Sequence, residues 1–391
     1  MTGRVALYSA VDEDLTHYEV DVDSAALAKR KTVKTPAHVQ YAWPHPSRQY
    51  LYVATSNRGP GLKGDLNHLS AFRIDRASGG LAPHGEPQTL PHRAVHICVD
   101  ASGSYVLSAH NLPQSGITVT RIHPDGTLGA HVPQAESLYY GTYPHQVRIA
   151  PSNRTTILAD RGNRDTYAKG AEPGALRLYR FENGRHSDPV VIAPGGGHGF
   201  SPRHLDFHPN RPWVYVSLES QSMLHMFRMA GDGLEPDPAF VRDTLADRAN
   251  ARPRQLAGTI HVHPNGRVVY LANRSDQTVE RDGRKVFGGG ENSIVAFALD
   301  TVTGEPTLLQ HADTGCRHHV RTFALEPGGR LMAAASIKPM AVQDGGQVVT
   351  VPAALAMFRV AADGKLEFVR KYDVDTGGGR TQYWMGIIGL D

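Results

Sequence analysis

The sequence predicts an all-β protein that folds as a seven-bladed β-propeller, in which each blade is a four-stranded antiparallel sheet. Three observations lead to this fold. A unit of 50 to 63 residues recurs along the chain, each unit carries several short strands, and a strand-rich segment is left over at each end. A repeat of this length with several strands per unit is typical of a radial all-β array.

The repeat is clearest at its turns, each of which is followed by a short β-rich run. Successive turn stretches lie 55, 50, 58, 55 and 63 residues apart, and they begin at His45, Asp100, Ala150, His208, His263 and Glu326. Six units follow from these six turns.

Each unit reads as four strands. In the fourth unit, PRHLDFHP (202–209) and PWVYVSLE (212–219) are the first two strands and MLHMFRM (223–229) is the third. β-branched and aromatic residues alternate between Gly, Pro, Asn and Asp turns, which favours strands. No stretch shows sustained helical periodicity.

The two chain ends complete a seventh blade. Residues 1–30 contain a second and a third strand without a first, and residues 380–391 contain a first strand with nothing after it. Pairing these ends closes the ring and removes exposed sheet edges. We therefore expect residues 1–391 to form a single propeller domain, closed by about 1–30 with 380–391.

Composition restricts the partners of the protein. The 41 basic and 38 acidic residues give a net charge of only +3, without a basic run. This balance argues against nucleic acid or a membrane surface as a partner. The two cysteines, Cys98 and Cys316, and the absence of an apolar leader indicate a cytoplasmic protein. We expect a monomer or a weak homo-oligomer.

Counting from the turns gives two sets of candidate site positions. The first set lies six residues before the turn residue, which is the second residue of each turn stretch (Pro46 in the first unit), on the innermost strand: Gln40, Val95, His145, Arg203, Gly258 and Arg321. The second set lies ten residues after it, at the end of the second strand: Ser56, Asn111, Arg161, Glu219, Arg274 and Ile337. First strands line the channel of a propeller, so both sets are expected at one mouth of that channel.

These positions differ from blade to blade, whereas positions that only support the fold repeat. Arginines around one carboxylate suit an anionic small-molecule substrate, because guanidinium binds carboxylate or phosphate through two hydrogen bonds. His145 and Glu219 are candidates for proton transfer. A purely structural ion pair between Arg203 and Glu219 is the alternative. Arg161, Arg321, Asn111 and Gln40 are the candidate substrate-binding residues.

No metal or other cofactor is expected. The 21 histidines form no HExxH motif, and the sequence has no CxxC motif and no Asp-rich calcium loop. Four further inner-strand histidines do not share one register, and we assign most of them to packing or turns: His96, His204, His261 and His319.

The repeat and these residues resemble the lactonase family of seven-bladed propellers, which includes 6-phosphogluconolactonases and carboxymuconate lactonizing enzymes. The matching stretches are 143–154, 201–220, 258–276 and 320–336, and the motif PRH-x-x-F-HP followed by a strand that ends in Glu is the most specific of them. The resemblance implies catalytic or substrate-binding roles for His145, Arg203, Glu219 and Arg274, which the repeat register also selects.

The chain departs from the family pattern in two loops. One loop spans 161–175 and adds Arg164, Asp165, Tyr167 and Lys169 near the expected mouth, and the other spans 275–292. Both loops can narrow the site or suit a different substrate.

The expected activity is hydrolysis of an anionic sugar or carboxylic-acid lactone by acid–base catalysis, with arginines that hold the substrate. Four alternatives stay open at this point. They are a carboxymuconate-type cyclase, a sugar lyase, a metal-dependent lactonase and a propeller that only binds a partner protein.

Overall fold

The computed structural model describes residues 3–163, 172–314 and 319–391. Its strands follow one another in chain order from blade to blade. Blade 1 begins with β1 (Val5–Val11), β2 (Asp14–Asp21) and β3 (Ala26–Lys34). Blade 2 contains β4 (Val39–Pro44), β5 (Tyr50–Ser56), β6 (Asn67–Ile74), β7 (Leu81–Pro83) and β8 (Gln88–Thr89). Blade 3 contains β9 (Arg93–Val99), β10 (Tyr105–Leu112), β11 (Gly116–Ile122) and β12 (Leu128–Val132).

The remaining blades follow the same order. Blade 4 contains β13 (Pro144–Ile149), β14 (Thr155–Asp160), β15 (Ala175–Glu182) and β16 (Arg185–Ile192). Blade 5 contains β17 (Pro202–Phe207), β18 (Trp213–Leu218), β19 (Met223–Ala230), β20 (Gly233–Leu234) and β21 (Phe240–Asp243). Blade 6 contains β22 (Leu256–Val262), β23 (Val268–Arg274), β24 (Thr278–Arg281), β25 (Arg284–Phe287), β26 (Ser293–Leu299) and β27 (Pro306–Asp313). Blade 7 contains β28 (Val320–Leu325), β29 (Leu331–Ser336), β30 (Met340–Asp344), β31 (Gln347–Val351), β32 (Ala354–Val360) and β33 (Leu366–Asp373). The last strand, β34 (Gln382–Gly389), returns to blade 1.

The ring closes as the sequence predicts. Strand β34 pairs antiparallel with β1, from Val5 opposite Gly389 to Val11 opposite Gln382. It is the innermost strand of blade 1, and β1, β2 and β3 follow it outward. The prediction of seven four-stranded antiparallel blades closed by both chain ends is therefore confirmed.

The apolar core lies between the blades. Seven clusters of buried apolar residues are present in the described part of the chain, and each joins two neighbouring sheets, including blade 7 with blade 1. The second strands are buried on both faces, as in β18 and β29. This double burial explains why their sequences are nearly continuous apolar runs instead of alternating ones.

The repeated histidines and tyrosines connect one blade to the next. His208 Nε2 donates to the carbonyl of Gly266 at 2.9 Å, and His263 Nε2 donates to that of Gly329 at 2.8 Å. In the same way, the Tyr270 hydroxyl donates to the carbonyl of Gly364 at 2.6 Å. Equivalent tyrosine bonds start from Tyr8, Tyr52 and Tyr215. The acceptor Gly364 has a φ of +90°, which favours glycine in that turn.

No helix of the described residues is long and apolar enough to span a membrane. The helical residues form three short 3₁₀ turns, Pro194–Gly197, Arg248–Asn250 and Gly377–Gly379.

We expect Tyr270→Phe to lower the free energy of unfolding by about 1–2 kcal/mol, because it leaves the buried Gly364 carbonyl without its donor. Chemical denaturation followed by fluorescence measures this change. The matched control is Tyr50→Phe, since the described residues include no hydrogen-bond partner for the Tyr50 hydroxyl. Equal losses for the two variants would contradict a stabilising role of the bond between blades.

Candidate functional site

The innermost strand of every blade contains a β-bulge at the same place, near the end of the channel where these strands begin. In blade 5, Pro202 pairs with Leu218 and His204 pairs with Ser217, so Arg203 has no residue opposite it. The bulges contain Gln40, Val95, His145, Arg203, Arg321, Tyr383 and, in blade 6, Gly258 with Thr259. A bulge bends the strand and re-aims the extra side chain.

These bulges converge as the repeat register predicts. All seven blades contribute a bulge residue to the lining of one cavity of about 20 Å³, and Gln40, His145, Arg203 and Arg321 are among them. A cavity of this size holds about one water molecule. His145 and Arg203 are buried, whereas Arg321 and Tyr383 are partly exposed.

Glu219 connects this cavity to the ends of the second strands. Its Oε2 accepts a hydrogen bond from Arg161 Nη1 at 2.7 Å, and its Oε1 lies 3.1 Å from Arg203 Nε. The same Oε1 accepts a hydrogen bond from Arg274 Nη2. Three guanidinium groups therefore surround one carboxylate that is only 4% exposed.

Arg274 extends this network outward. Its Nη1 lies 2.9 Å from Nε2 of His319, and Nδ1 of His319 lies 3.6 Å from the Asp276 carboxylate. Asp276 also accepts a hydrogen bond from Arg254 at 2.9 Å. His319, which the sequence assigned to packing or turns, is thus part of the charged network.

Arg93 connects blades 1, 2 and 3 at the same mouth. Its Nε donates to Gln40 Oε1 at 2.8 Å, its Nη1 donates to Asn111 Oδ1 at 2.9 Å, and its Nη2 donates to the Tyr383 hydroxyl at 2.8 Å. The oxygens of Gln40 and Asn111, both predicted to bind substrate, therefore hold a buried arginine. The Arg321 guanidinium lies 3.9 Å from the centre of the Tyr383 ring.

The charges determine the protonation states in the site. Burial alone would raise the pKa of Glu219, but Arg161, Arg274 and Arg203 hold it well below its usual range. Burial and the charge of Arg203 lower the pKa of His145 well below its usual value. At neutral pH the Glu219 carboxylate is therefore ionised and the His145 imidazole is neutral.

All eight predicted site residues thus belong to one network or to the cavity beside it. The register counting missed Arg93, His319 and Tyr383. Arg93 and His319 lie eight residues before their turn residues, two positions before the counted one. Tyr383 could have been found by aligning the last strand with the other innermost strands.

The structure describes only part of the first extra loop but the whole of the second. Residues 164–171, which include Arg164, Asp165, Tyr167 and Lys169, lie outside the described residues, and so does Cys316. The 275–292 loop contains the hairpin β24–β25, which contacts β30. This loop lines a separate cavity of about 670 Å³ between blades 6 and 7.

One group of possible metal ligands lies at the end of β1, among the residues that the structure describes: Asp12, Glu13 and His38. The Asp12 carboxylate accepts hydrogen bonds from the backbone and hydroxyl of Thr381, and Glu13 pairs with Lys34. These partners already engage both carboxylates.

Comparison with known proteins identifies the family. Residues 3–351 match the family model described as lactonase, 7-bladed beta-propeller. The chain belongs to this family. It is accordingly a lactonase, which is an enzyme of the hydrolase class.

Curated relatives are similar over most of their length. The 6-phosphogluconolactonase of Yersinia pseudotuberculosis (strain YPIII) is 26% identical over 357 residues, which cover 80% of this chain and 96% of that protein. The 6-phosphogluconolactonase of Bacillus subtilis (strain 168) is 25% identical over 338 residues, which cover 83% of this chain and 85% of that protein.

Solved structures have the same fold. The periplasmic gluconolactonase of Pseudomonas aeruginosa aligns with a TM-score of 0.75 at 20% identity, over 99% of this chain and 100% of that one. A putative 6-phosphogluconolactonase of Bacteroides fragilis aligns with a TM-score of 0.71 at 19% identity, over 99% of this chain and 98% of that one.

We expect Glu219→Gln to lower the free energy of unfolding by about 3 kcal/mol, because three guanidinium groups, two of them buried, lose their counter-charge. Thermal unfolding with and without inorganic phosphate measures the loss, and phosphate should restore part of it. The matched control is Glu280→Gln on the exposed strand β24, which should change stability by less than about 0.5 kcal/mol. A Glu219→Gln protein as stable as the wild type would contradict the counter-ion role.

Proposed function

We propose that the protein hydrolyses a lactone that carries a phosphate or carboxylate, with 6-phosphogluconolactone as the first candidate. The observation that carries this proposal is the charge of the site. The described part of the network contains six arginines, Arg93, Arg161, Arg203, Arg254, Arg274 and Arg321, but only two carboxylates, Glu219 and Asp276. An anionic substrate would offset this excess of positive charge. The curated relatives of Yersinia pseudotuberculosis and Bacillus subtilis are both 6-phosphogluconolactonases, which supports the same substrate class.

Two arginines have donors left for such an anion. Arg203 is 1% exposed; its Nε is ion-paired with Glu219, but its Nη1 has no hydrogen-bond partner in the described residues. Burial next to Arg274 and Arg321 lowers the pKa of Arg203 well below its usual value, and a bound anion would relieve this cost. Arg321 is partly exposed at the mouth, where the phosphate or carboxylate can reach its guanidinium. We assign both arginines to binding the anion, and Arg203 with Arg274 to stabilising the developing oxyanion.

His145 is the better candidate for the base that activates water. It is neutral at neutral pH, and its buried Nδ1 has no hydrogen-bond partner in the described residues. Glu219 is ionised, but three guanidinium groups hold its oxygens, which makes it a weak base. We therefore assign Glu219 to positioning the arginines. The cavity beside His145 and Arg203 has room for the attacking water, and the lactone ring would bind on its mouth side.

The remaining expectations about the whole protein are part of the same proposal. We propose a cytoplasmic enzyme without nucleic-acid or membrane partners that acts as a single-domain monomer or weak homo-oligomer. Its near-balanced charge and two cysteines support this. Cell fractionation and light scattering test the compartment and the oligomeric state.

We expect kcat/KM for 6-phosphogluconolactone to exceed that for uncharged gluconolactone by at least about 10²-fold, because each hydrogen bond to a charged group contributes about 1.5–3 kcal/mol. Acid release above the spontaneous rate measures both values. Arg321→Gln should reduce the preference, whereas Arg281→Gln on the exposed hairpin should retain it. Equal rates for the two lactones would contradict an anion-binding site. Activity on carboxymuconate-type acids alone would favour the cyclase reaction.

We expect His145→Asn to lower kcat by about 10²–10⁴ with little change in KM, because it removes the base but leaves the arginines in place. Glu219→Gln should also raise KM, since the arginines lose their orientation. Steady-state kinetics separates the two effects, with His84→Asn outside the site as the control. Wild-type kcat in His145→Asn would remove His145 from the mechanism.

A further inference from the structure

Tyr383 places an oxygen-bound proton at the mouth of the site. It is the bulge residue of β34, the strand that closes the ring, and it lines the same cavity as His145 and Arg203. The residue is partly exposed. Its ring lies against the Arg321 guanidinium, and its hydroxyl lies against Arg93.

The hydrogen-bond pattern fixes what the hydroxyl can do. The Tyr383 oxygen accepts the Nη2–H of Arg93 at 2.8 Å, and a guanidinium can only donate. The hydroxyl hydrogen of Tyr383 therefore needs another acceptor, and the described residues provide none within hydrogen-bonding distance. A bound substrate oxygen at the mouth can be that acceptor.

The other groups of the site are poor proton donors. Glu219 is ionised and held by Arg161, Arg203 and Arg274. His145 is neutral and must first take a proton from water before it has one to give. Arginines stay protonated in proteins. A lactone with an alcohol leaving group needs a proton on its ring oxygen as the ring opens.

We propose that Tyr383 is a catalytic residue that donates its hydroxyl proton to the leaving ring oxygen of the lactone. This inference rests on the lactone hydrolysis proposed above. Water attacks the carbonyl carbon while His145 takes one of its protons, and the bond from that carbon to the ring oxygen breaks. The ring oxygen takes the proton of Tyr383 and becomes a hydroxyl group. The phenolate then regains a proton from solvent, and His145 releases its proton to solvent, which leaves the hydroxy acid.

The surrounding charges adjust Tyr383 to this task. Burial raises the pKa of Tyr383, but the charges of Arg321, Arg93 and Arg203 outweigh burial and lower the pKa to about 8. The other titratable groups that face the cavity or its arginines are the anionic Glu219 and Asp276, the neutral His145, His204 and His319, and the tyrosines Tyr41 and Tyr143. Because the protonated phenol is the active form, the proton-donor step is available below pH 8 and is lost as the pH rises through 8.

The test compares Tyr383→Phe with the wild type on two anionic lactones. For 6-phosphogluconolactone, whose leaving group is an alcohol, we expect kcat to fall by about 10²–10⁴. For a carboxylated dihydrocoumarin, whose leaving group is a phenol, we expect a loss of less than about tenfold, because a phenolate leaves with little need for a proton. The decline of the wild-type rate above pH 8, corrected for spontaneous hydrolysis, should be absent from Tyr383→Phe.

The control is Tyr8→Phe, which removes a hydroxyl from β1 of the same blade, outside the site. Tyr8 donates to the carbonyl of Gly79 at 2.7 Å, so its loss affects the packing of blades 1 and 2. We expect Tyr8→Phe to keep wild-type kcat and the decline above pH 8.

The possible outcomes are distinct. A wild type that hydrolyses neither lactone would overturn the proposed function itself. An active wild type with an equally active Tyr383→Phe, or with equal losses on both lactones, would overturn the proton-donor role alone.

Discussion

The constraint on which the rest of the structure depends is that every sheet must bury both of its faces. An isolated four-stranded sheet leaves both apolar faces in water, and a linear row of sheets leaves one face exposed at each end. Only a closed ring gives each blade two neighbours, and the pairing of β34 with β1 provides that closure. The seven clusters between blades, including the one between blades 7 and 1, follow from it.

Closure also creates the site, because seven innermost strands must begin around one axis. Their bulges turn one side chain per blade into the channel. Charged groups that water would normally separate therefore lie close together there. Glu219 offsets the repulsion between these positive charges, since it is the carboxylate that Arg161, Arg203 and Arg274 share. The excess of positive charge that remains after this neutralisation is the basis of the specificity proposed for the site.

The sequence was sufficient for the fold because the same turn and strand chemistry recurs six times. It was also sufficient for the positions of His145, Arg203, Glu219 and Arg274, because one register places them all at one mouth. It could not reveal that Gln40 and Asn111 hold Arg93, since side-chain partners from different blades have no fixed separation along the chain. Counting along the repeat missed Tyr383 for a related reason, because its strand completes a blade whose other strands are at the opposite end of the sequence.

In most β-sheets a change of side chain also affects the strand pairing, and the bulges separate these two properties. The residue in a bulge has no opposite partner in the strand ladder, so another side chain there leaves the pairing of the blade intact. The bonds that join the blades lie elsewhere, at the turn histidines and the second-strand tyrosines. Natural variation or directed evolution can thus rewrite the chemistry of the channel at one position per blade. Single substitutions at these positions can therefore change the substrate while every variant along the way still folds.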